Sequence, residues 1–243
     1  MQKNKVGKQR SLDTLKLLLK TYSENYNQIQ YKGLSGLAHR IYHKKLEGRF
    51  NHKTKFNRIL EIGSGSGEHY KYIKHKYSTY FMTEYDAEQI SKLKKKFYRN
   101  KKIKIEYADI ERLKYKNNYF DRIILTCVLH HLKDIPTALN EIRRVTKDQG
   151  TISIYLPSDP GILYRFTRKI AMFRKKEIRL ETGQIINRNV LHAIEHPNHI
   201  QAIRDLIMYL FRNDEIKATI FPFKIDMWNL NLFYVYQIKK HEN

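Results

Sequence analysis

The stretch Arg58 to His69, Arg-Ile-Leu-Glu-Ile-Gly-Ser-Gly-Ser-Gly-Glu-His, constrains the fold more than any other part of the chain. Ile59, Leu60 and Ile62 form an apolar, β-prone run of the kind a buried parallel strand needs. Gly63, Gly65 and Gly67 follow at once, and Lys71 to Lys76 reads as the helix that the turn opens. A strand that stops in a glycine-rich turn and opens a helix has the geometry of a nucleotide cradle. Glycine lets the backbone turn tightly and puts no Cβ in a ligand's way. The free N–H groups of a helix start favour a negatively charged ligand group. The spacing is G-x-G-x-G. It is not the G-x-G-x-x-G of a dinucleotide site, because Glu68 stands where that third glycine would be, and without a Lys-Ser/Thr ending it is not a P-loop.

Further strand ends carry polar residues at useful places. The second strand, Thr79 to Thr83, runs into Glu84-Tyr85-Asp86. A carboxylate at that tip can accept hydrogen bonds from both hydroxyls of a ribose, which suits Glu84, while Asp86 suits the N-cap of a helix over Ala87 to Tyr98. The third strand, Ile103 to Tyr107, is followed by Ala108-Asp109-Ile110. The fourth, Phe120 to Thr126, leads into Cys127-Val128-Leu129-His130-His131-Leu132-Lys133-Asp134. Ligands of open α/β sheets bind at the carboxyl ends of strands, where Thr126 and Cys127 fall. Ile135 to Val145 has a helical apolar face, and Thr151 to Leu156 reads as strand five.

Glu61 with the three glycines resembles motif I, E/D-x-G-x-G-x-G, of the class I S-adenosylmethionine (SAM) methyltransferases. The segment from Phe120-Asp121 through Leu129-His130-His131-Leu132 resembles the small-molecule (methyltransferase type 11) branch that includes the ubiquinone and menaquinone C-methyltransferases. The resemblance spans about residues 56 to 156. It implies a Rossmann-like α/β fold: a seven-stranded, mostly parallel sheet with helices on both faces, an antiparallel last strand and an N-terminal helical cap. It also implies SAM as cofactor. Glu61 and the turn Gly63-Ser64-Gly65-Ser66-Gly67 would hold the methionine end, with the helix start meeting its carboxylate. Glu84 would hold the ribose, Tyr85 would stack on the adenine, and Asp109 would accept from the adenine amino group beside a backbone N–H at Ile110.

Outside this region the reading is coarser. Residues 1–10 are polar and basic and are expected to be a disordered tail. Residues 11–55 are expected to form the cap. Its first helix starts after Ser11 and runs through Leu12, Leu15, Leu18 and Leu19 toward Tyr26, and its second runs from Leu34 or Ser35 to Leu46. Tyr22, Tyr26, Tyr31, His39, Tyr42 and His43 lie in it, either closing over the cofactor or packing the cap onto the core. Residues 56–243 are expected to be the catalytic domain, with an acceptor lid over about 157–199. Ile162 to Arg179 reads as a basic amphipathic helix, Ile200 to Phe211 as a helix, and Glu215 to Ile220 and Leu232 to Ile238 as the last strands. Tyr155, Asp159, Tyr164 and Arg165 are candidates for acceptor contact. His192 and His196 share a helical face, with His199 beyond. If the reaction needs a base, His131 is the first candidate and His196 the second. No metal site is expected, because no cluster of cysteines or carboxylates accompanies His130 and His131 in the sequence.

Composition bounds the rest. The 243 residues suit one α/β domain with extra helix, and 41% hydrophobic residues suffice for a core. The single cysteine, Cys127, excludes an internal disulfide and accords with a reducing cytoplasm. No run of 18 apolar residues is present, so neither a membrane span nor a signal peptide is expected. The net charge of +23 raises nucleic acid or an anionic membrane surface as a partner, but the basic stretches Lys71–Lys76, Lys92–Lys104 and Arg165–Arg179 are scattered. The leading expectation is therefore methyl transfer to a small acceptor, such as a sugar, lipid or quinone-like precursor. The carboxyl-terminal Glu-His-Pro-Asn-His through Pro-Phe-Lys-Ile-Asp-Met-Trp segment resembles methyltransferases of bacterial polysaccharide gene clusters. An RNA methyltransferase and a non-catalytic SAM-binding protein are the competing readings. No N/D-P-P-Y/F motif follows strand four, which argues against amino methylation of bases.

Overall fold

The carboxyl halves of the central strands are apolar on both faces, and this forces helices onto both sides of the sheet. The computed structural model describes residues 33–172, 177–179 and 185–242. The expected basic tail 1–10, the helix after Ser11, and Tyr22, Tyr26 and Tyr31 lie outside them. In chain order the elements are α1 (Gly33–Glu47), β1 (Lys55–Ile62), β2 (Lys76–Glu84), α2 (Ala87–Phe97), β3 (Ile103–Tyr107), β4 (Phe120–Thr126), α3 (Ile135–Val145) and β5 (Thr146–Pro157). They are followed by α4 (Ile162–Met172), β6 (Glu177–Arg179), β7 (Ile185–Asn187), α5 (Arg188–Glu195), α6 (Ile200–Leu210), β8 (Glu215–Phe221) and β9 (Phe233–Lys239).

Seven strands form one sheet in the order β3-β2-β1-β4-β5-β9-β8, and β6 pairs with β7 in a separate two-stranded sheet. β1 pairs in parallel with both β2 and β4, whereas β9 runs antiparallel to β5 and β8. The chain first adds strands to one side of β1 and then to the other. The strand order thus reverses beside β1, where an open α/β sheet leaves a crevice for a ligand.

Alternation along each strand separates two cores. Leu60, Ile62, Ile123, Leu125, Ile152 and Ile154 pack on one face with Ala138, Leu139 and Ile142 of α3 and Ile203 and Ile207 of α6. Ile59, Tyr80, Met82, Ile124 and Val235 pack on the other with Tyr42 and Leu46 of α1 and Leu93 of α2. Asp121, next to Phe120, accepts from the Arg58 N–H at 2.6 Å and pairs with Lys147 at 2.8 Å, which fixes the β1–β4 register at its base.

α1 is built into the sheet by a buried ionic network. Arg122 of β4 and Glu47 of α1 are both buried, and two guanidinium nitrogens donate to the two carboxylate oxygens at 2.6 and 2.9 Å. His69 contacts Glu47 at 2.9 Å, and His75 contacts Arg122 at 2.6 Å. Burial pushes the Glu47 carboxyl up, but the Arg122 charge and the hydrogen bonds from His69 and Arg122 outweigh it and hold it far below the ordinary range.

Two expected helices differ. Lys71 to Lys76 holds no α-helix: a single 3-10 turn, Tyr70–Tyr72, follows the glycine turn, and Lys76 already begins β2. The chain between is too short for an α-helix, and His69 is drawn under α1 by Glu47 instead. The helix from Ile162 is described as far as Met172, and residues 177–179, inside its expected span to Arg179, are extended. Among the described residues the other expected elements fall within about five residues of their observed limits, and Ile103–Tyr107, Phe120–Thr126 and Ile135–Val145 match at both ends. No helix among the described residues is long and apolar enough to cross a membrane.

Candidate functional site

The glycine turn hangs from the end of β1 by a short set of bonds. The Ser64 N–H donates to the Thr83 carbonyl at 3.0 Å, the Ser64 hydroxyl to the Glu61 carbonyl at 3.2 Å, and the Gly67 N–H to the Ser64 carbonyl at 2.8 Å. Gly63, Gly65 and Gly67 all have positive φ, at +67°, +52° and +71°. Their surroundings separate their roles. A Cβ on Gly63 would meet Val128 Cγ2 at 2.7 Å, and one on Gly67 would meet Phe97 Cε2 at 2.6 Å, so these two glycines let neighbours pack closely. A Cβ on Gly65 would meet nothing within 4 Å. Gly65 is the point at which the backbone lies open to a ligand.

Glu84 closes this turn from the end of β2. Its two carboxylate oxygens accept from the Gly65 N–H at 2.8 Å and the Tyr85 N–H at 2.9 Å. Asp86 caps α2, accepting from the Glu88 and Gln89 N–H groups. The Tyr85 ring is exposed and tilts against Tyr107, with centroids 5.4 Å apart. Asp109 Oδ1 accepts from the Glu111 N–H at 3.0 Å, while the Ile110 side chain enters the core. An open cleft of about 330 Å³, lined by residues including Ala108, Asp109, Arg112 and Tyr115, lies beside β3 and shares no residue with the glycine turn. Glu61 is wholly buried beneath the turn. The Tyr80 hydroxyl donates to its Oε2 at 2.8 Å, Oε1 has no partner, and burial raises its pKa.

The end of β4 supplies the opposite wall. Thr126 is its last residue, and Cys127 turns into left-handed backbone at φ +59°, an uncommon conformation for a side-chain-bearing residue. Burial pushes the Cys127 thiol up to about 12, so it stays protonated at neutral pH and is no thiolate nucleophile. Tyr155 of β5 stacks on Tyr42 of α1 at 3.7 Å, so Tyr42 packs α1 onto the sheet.

Beyond Cys127 four imidazoles and a carboxylate converge. His130 and His131 sit in a 3-10 turn with ring centroids 4.1 Å apart, and His196, just past α5, lies 4.3 and 4.9 Å from them. The His192 ring tilts against that of His196, with centroids 4.0 Å apart. Asp159, in the loop after β5, accepts from His196 Nδ1–H at 3.0 Å, and His192 Nε2 lies 3.2 Å from the same oxygen. His131 Nδ1–H donates to the Glu195 carbonyl at 2.6 Å. His130 is buried and its Nδ1 has no partner. Burial and the neighbouring imidazoles hold His130 well below its ordinary pKa and lower His192 to about 3. The surrounding protein, with His196, lowers His131 to about 4, although part of its ring meets solvent. Burial pushes the Asp159 carboxyl up, but the His196 hydrogen bond and the charges of His192 and His196 hold it below the ordinary range.

Residues 60–154 match the family described as "Methyltransferase domain". That match covers the strands and turns from β1 to β5. The chain is similar in fold to a putative SAM-dependent methyltransferase from Methanococcus maripaludis (18% identity, TM-score 0.62, covering 92% of this chain and 94% of that one). It is also similar to the CurJ carbon methyltransferase (18%, TM-score 0.60, 92% and 58%) and to the N-methyltransferase NodS of Bradyrhizobium japonicum (15%, TM-score 0.56, 84% and 97%), which has also been solved with S-adenosylhomocysteine. In sequence it is 28% identical over 115 residues to the highly reducing polyketide synthase GPY1 of Gibberella fujikuroi, a match covering 42% of this chain and 4% of the synthase. The residues present fit the SAM cofactor that the family implies. Gly65 leaves its backbone approach open, the Glu84 carboxylate stands beside it, and both lie at the carboxyl ends of adjacent parallel strands.

The fold thus gathers the glycine turn, Glu84, Thr126 and Cys127 around the β1–β4 switch point, with Tyr85 and Asp109 at the ends of β2 and β3. Glu61 lies beneath the turn rather than on its open side. His131 and His196, which stand 65 positions apart, share one cluster, and Asp159 and His192 join it. His199 is the residue before α6 and takes no part. Separation along the chain concealed the carboxylate-imidazole grouping. The one sequence signal was the His192/His196 spacing, which gave no partner.

Proposed function

We propose that the protein transfers a methyl group from SAM to a small-molecule acceptor bound against the histidine cluster. Bound SAM supplies an electrophilic methyl group on a sulfonium, and transfer is an in-line displacement that requires aligned donor and acceptor. The protein's task is therefore mainly to bind and orient. Gly63, Ser64, Gly65 and Gly67 form the wall for the methionine end, Glu84 takes the ribose hydroxyls, Tyr85, Asp109 and the Ile110 N–H frame the adenine, and Thr126 and Cys127 form the floor toward the acceptor. Glu61 acts from beneath by bracing the turn.

The observation that carries the acceptor reading is the orientation of two imidazoles at the cluster. Asp159 takes the Nδ1 proton of His196 and the Glu195 carbonyl takes that of His131, which leaves each Nε2 with a lone pair. Such nitrogens receive a proton from a hydroxyl or ammonium acceptor as its bond to methyl forms. Asp159 is then a positioning residue. The loop after β5 together with α4 and α5, within the expected lid region 157–199, forms the acceptor side. The relatives act on carbon and nitrogen by their names, so similarity does not carry the acceptor atom. Against an RNA acceptor, Glu68 pairs with Lys71 and Lys96 and Glu88 with Lys92, so acids partly neutralise the lysines beside α2.

The test is SAM turnover, read as S-adenosylhomocysteine release, across panels of hydroxylated and amine-bearing small molecules and of RNA. Turnover on a small molecule, with the acid limb of the pH profile moved in Asp159→Asn, supports the reading. Turnover on RNA alone overturns it.

A further inference from the structure

We propose that His130, His131 and His196 form a binding site for a divalent transition metal of the zinc class, with Asp159 and the Glu195 carbonyl as its outer supports. Three neutral imidazoles with an open fourth position form a zinc-type donor set, imidazole being a preferred ligand of such ions. In this chain one ring nitrogen from each of the three lies within 4.8 Å of the others. Tetrahedral bonds of about 2.0–2.1 Å give donor separations of about 3.3 Å, so a modest inward movement of side chains completes the site.

The second observation is how the protons are placed. A metal-bound histidine almost always donates its other ring N–H to a carboxylate or a backbone carbonyl, which fixes the tautomer and orients the ring. His196 donates Nδ1–H to Asp159 and His131 donates Nδ1–H to the Glu195 carbonyl, so both outer supports are in place and both Nε2 atoms are free. The third observation is an orphan. His130 is 3% exposed and its Nδ1 is buried with no hydrogen-bond partner. An unpaired polar atom in that setting costs free energy that a ligand would recover. The lack of a cysteine or carboxylate cluster beside these histidines in the sequence argued against a metal. The fold reverses that argument by bringing the loop after β5 and the end of α5 against the turn after β4.

A second three-donor set, Asp159, His192 and His196, shares one histidine with the first. The first is favoured because the Asp159 oxygen is already occupied by the His196 proton. A metal there would present its open position beside the carboxyl end of β4. With their Nε2 atoms on the metal, His131 and His196 would no longer act as bases; an acceptor oxygen bound to the metal would instead lose its proton more readily, as metal-bound water does. The proposal goes beyond the methyl-transfer reading, and its test requires neither SAM nor acceptor.

The experiment titrates the full-length, tag-free, chelator-stripped protein with Co2+, followed by its visible absorption and by competition with Zn2+. The expected result is one Co2+ per chain with the intense bands of low-coordinate cobalt, displaced by Zn2+. His131→Gln and His196→Gln should each weaken binding by more than tenfold, and Asp159→Asn by about 10–100-fold, the usual effect of losing an outer support. Circular dichroism and a cooperative thermal transition report that each variant is folded. No stoichiometric cobalt, or cobalt bound equally well by His131→Gln and His196→Gln, overturns the proposal. Loss in His192→Gln with no loss in His131→Gln also overturns it, because it places the metal on the other donor set.

Discussion

Replacing Glu47 with alanine should destabilise this protein far more than any surface substitution. The carboxylate joins α1 to β4 across 75 positions of sequence and holds both terminal nitrogens of Arg122. Arg122 is wholly buried, and its guanidinium lies 4.0 Å from the centroid of the Phe50 ring. After the substitution the remaining partners are the Ser153 hydroxyl, at 3.2 and 3.3 Å, and the His75 ring. Both are neutral in the fold, since burial and Arg122 lower His75 to about 4. Leaving one buried charge without its counter-charge costs about 3–5 kcal/mol. Against a total stability of about 5–15 kcal/mol, that is enough to leave the variant marginal at 37 °C. The physical origin is the stranded cation rather than a lost attraction, and the double variant separates the two. Glu47→Leu with Arg122→Met removes both charges at similar volume and should restore most of the loss, because buried pairs often exchange for apolar residues at little cost. Urea unfolding followed by far-ultraviolet circular dichroism measures all three proteins. A loss below about 1 kcal/mol in Glu47→Ala, or a double variant as unstable as the single one, would refute the reasoning.

Acid should weaken the fold in two stages. His75, depressed from 6.5 to about 4, contributes stability that is complete above pH 6.5 and is lost as pH falls toward 4. Glu47, depressed below 4.5, contributes stability that is complete above that value and is lost below it. His130 and His192 act with the sign of His75, so the slope of unfolding free energy between pH 6.5 and 4 should exceed the roughly 1.4 kcal/mol per pH unit of one group, and His75→Gln should flatten it. Gly67→Ala should lower stability by more than the roughly 1–2 kcal/mol of left-handed backbone strain, because its methyl group meets Phe97, whereas Gly65→Ala should cost no more than that strain. Calorimetric titration should show Gly65→Val losing SAM affinity while the thermal transition remains cooperative. Equal SAM affinity in wild type and Gly65→Val would place the ligand elsewhere. Tyr80→Phe removes the donor to Glu61 and should cost about 1–3 kcal/mol in thermal or urea unfolding.

Local chemistry determined much of this molecule. Alternating and continuous apolar runs identified the strands, Asp86 and Asp134 are capping residues at helix starts, and G-x-G-x-G specified the turn at the end of β1. These signals were legible because each depends on spacings of a few residues. The same locality misled after Gly67, where a plausible helical stretch was overruled by a short path into β2 and by the pull of Glu47 on His69. What the tertiary structure alone decided is which distant polar groups meet. Glu47 finds Arg122, and His130 and His131 find Asp159, His192 and His196, only because the strand order places β4 and β5 side by side and α5 folds back over their carboxyl ends. A sequence states the residue types, but a buried charge or a free lone pair is a property of neighbours tens of residues away, and those neighbours exist only once the sheet has closed around them.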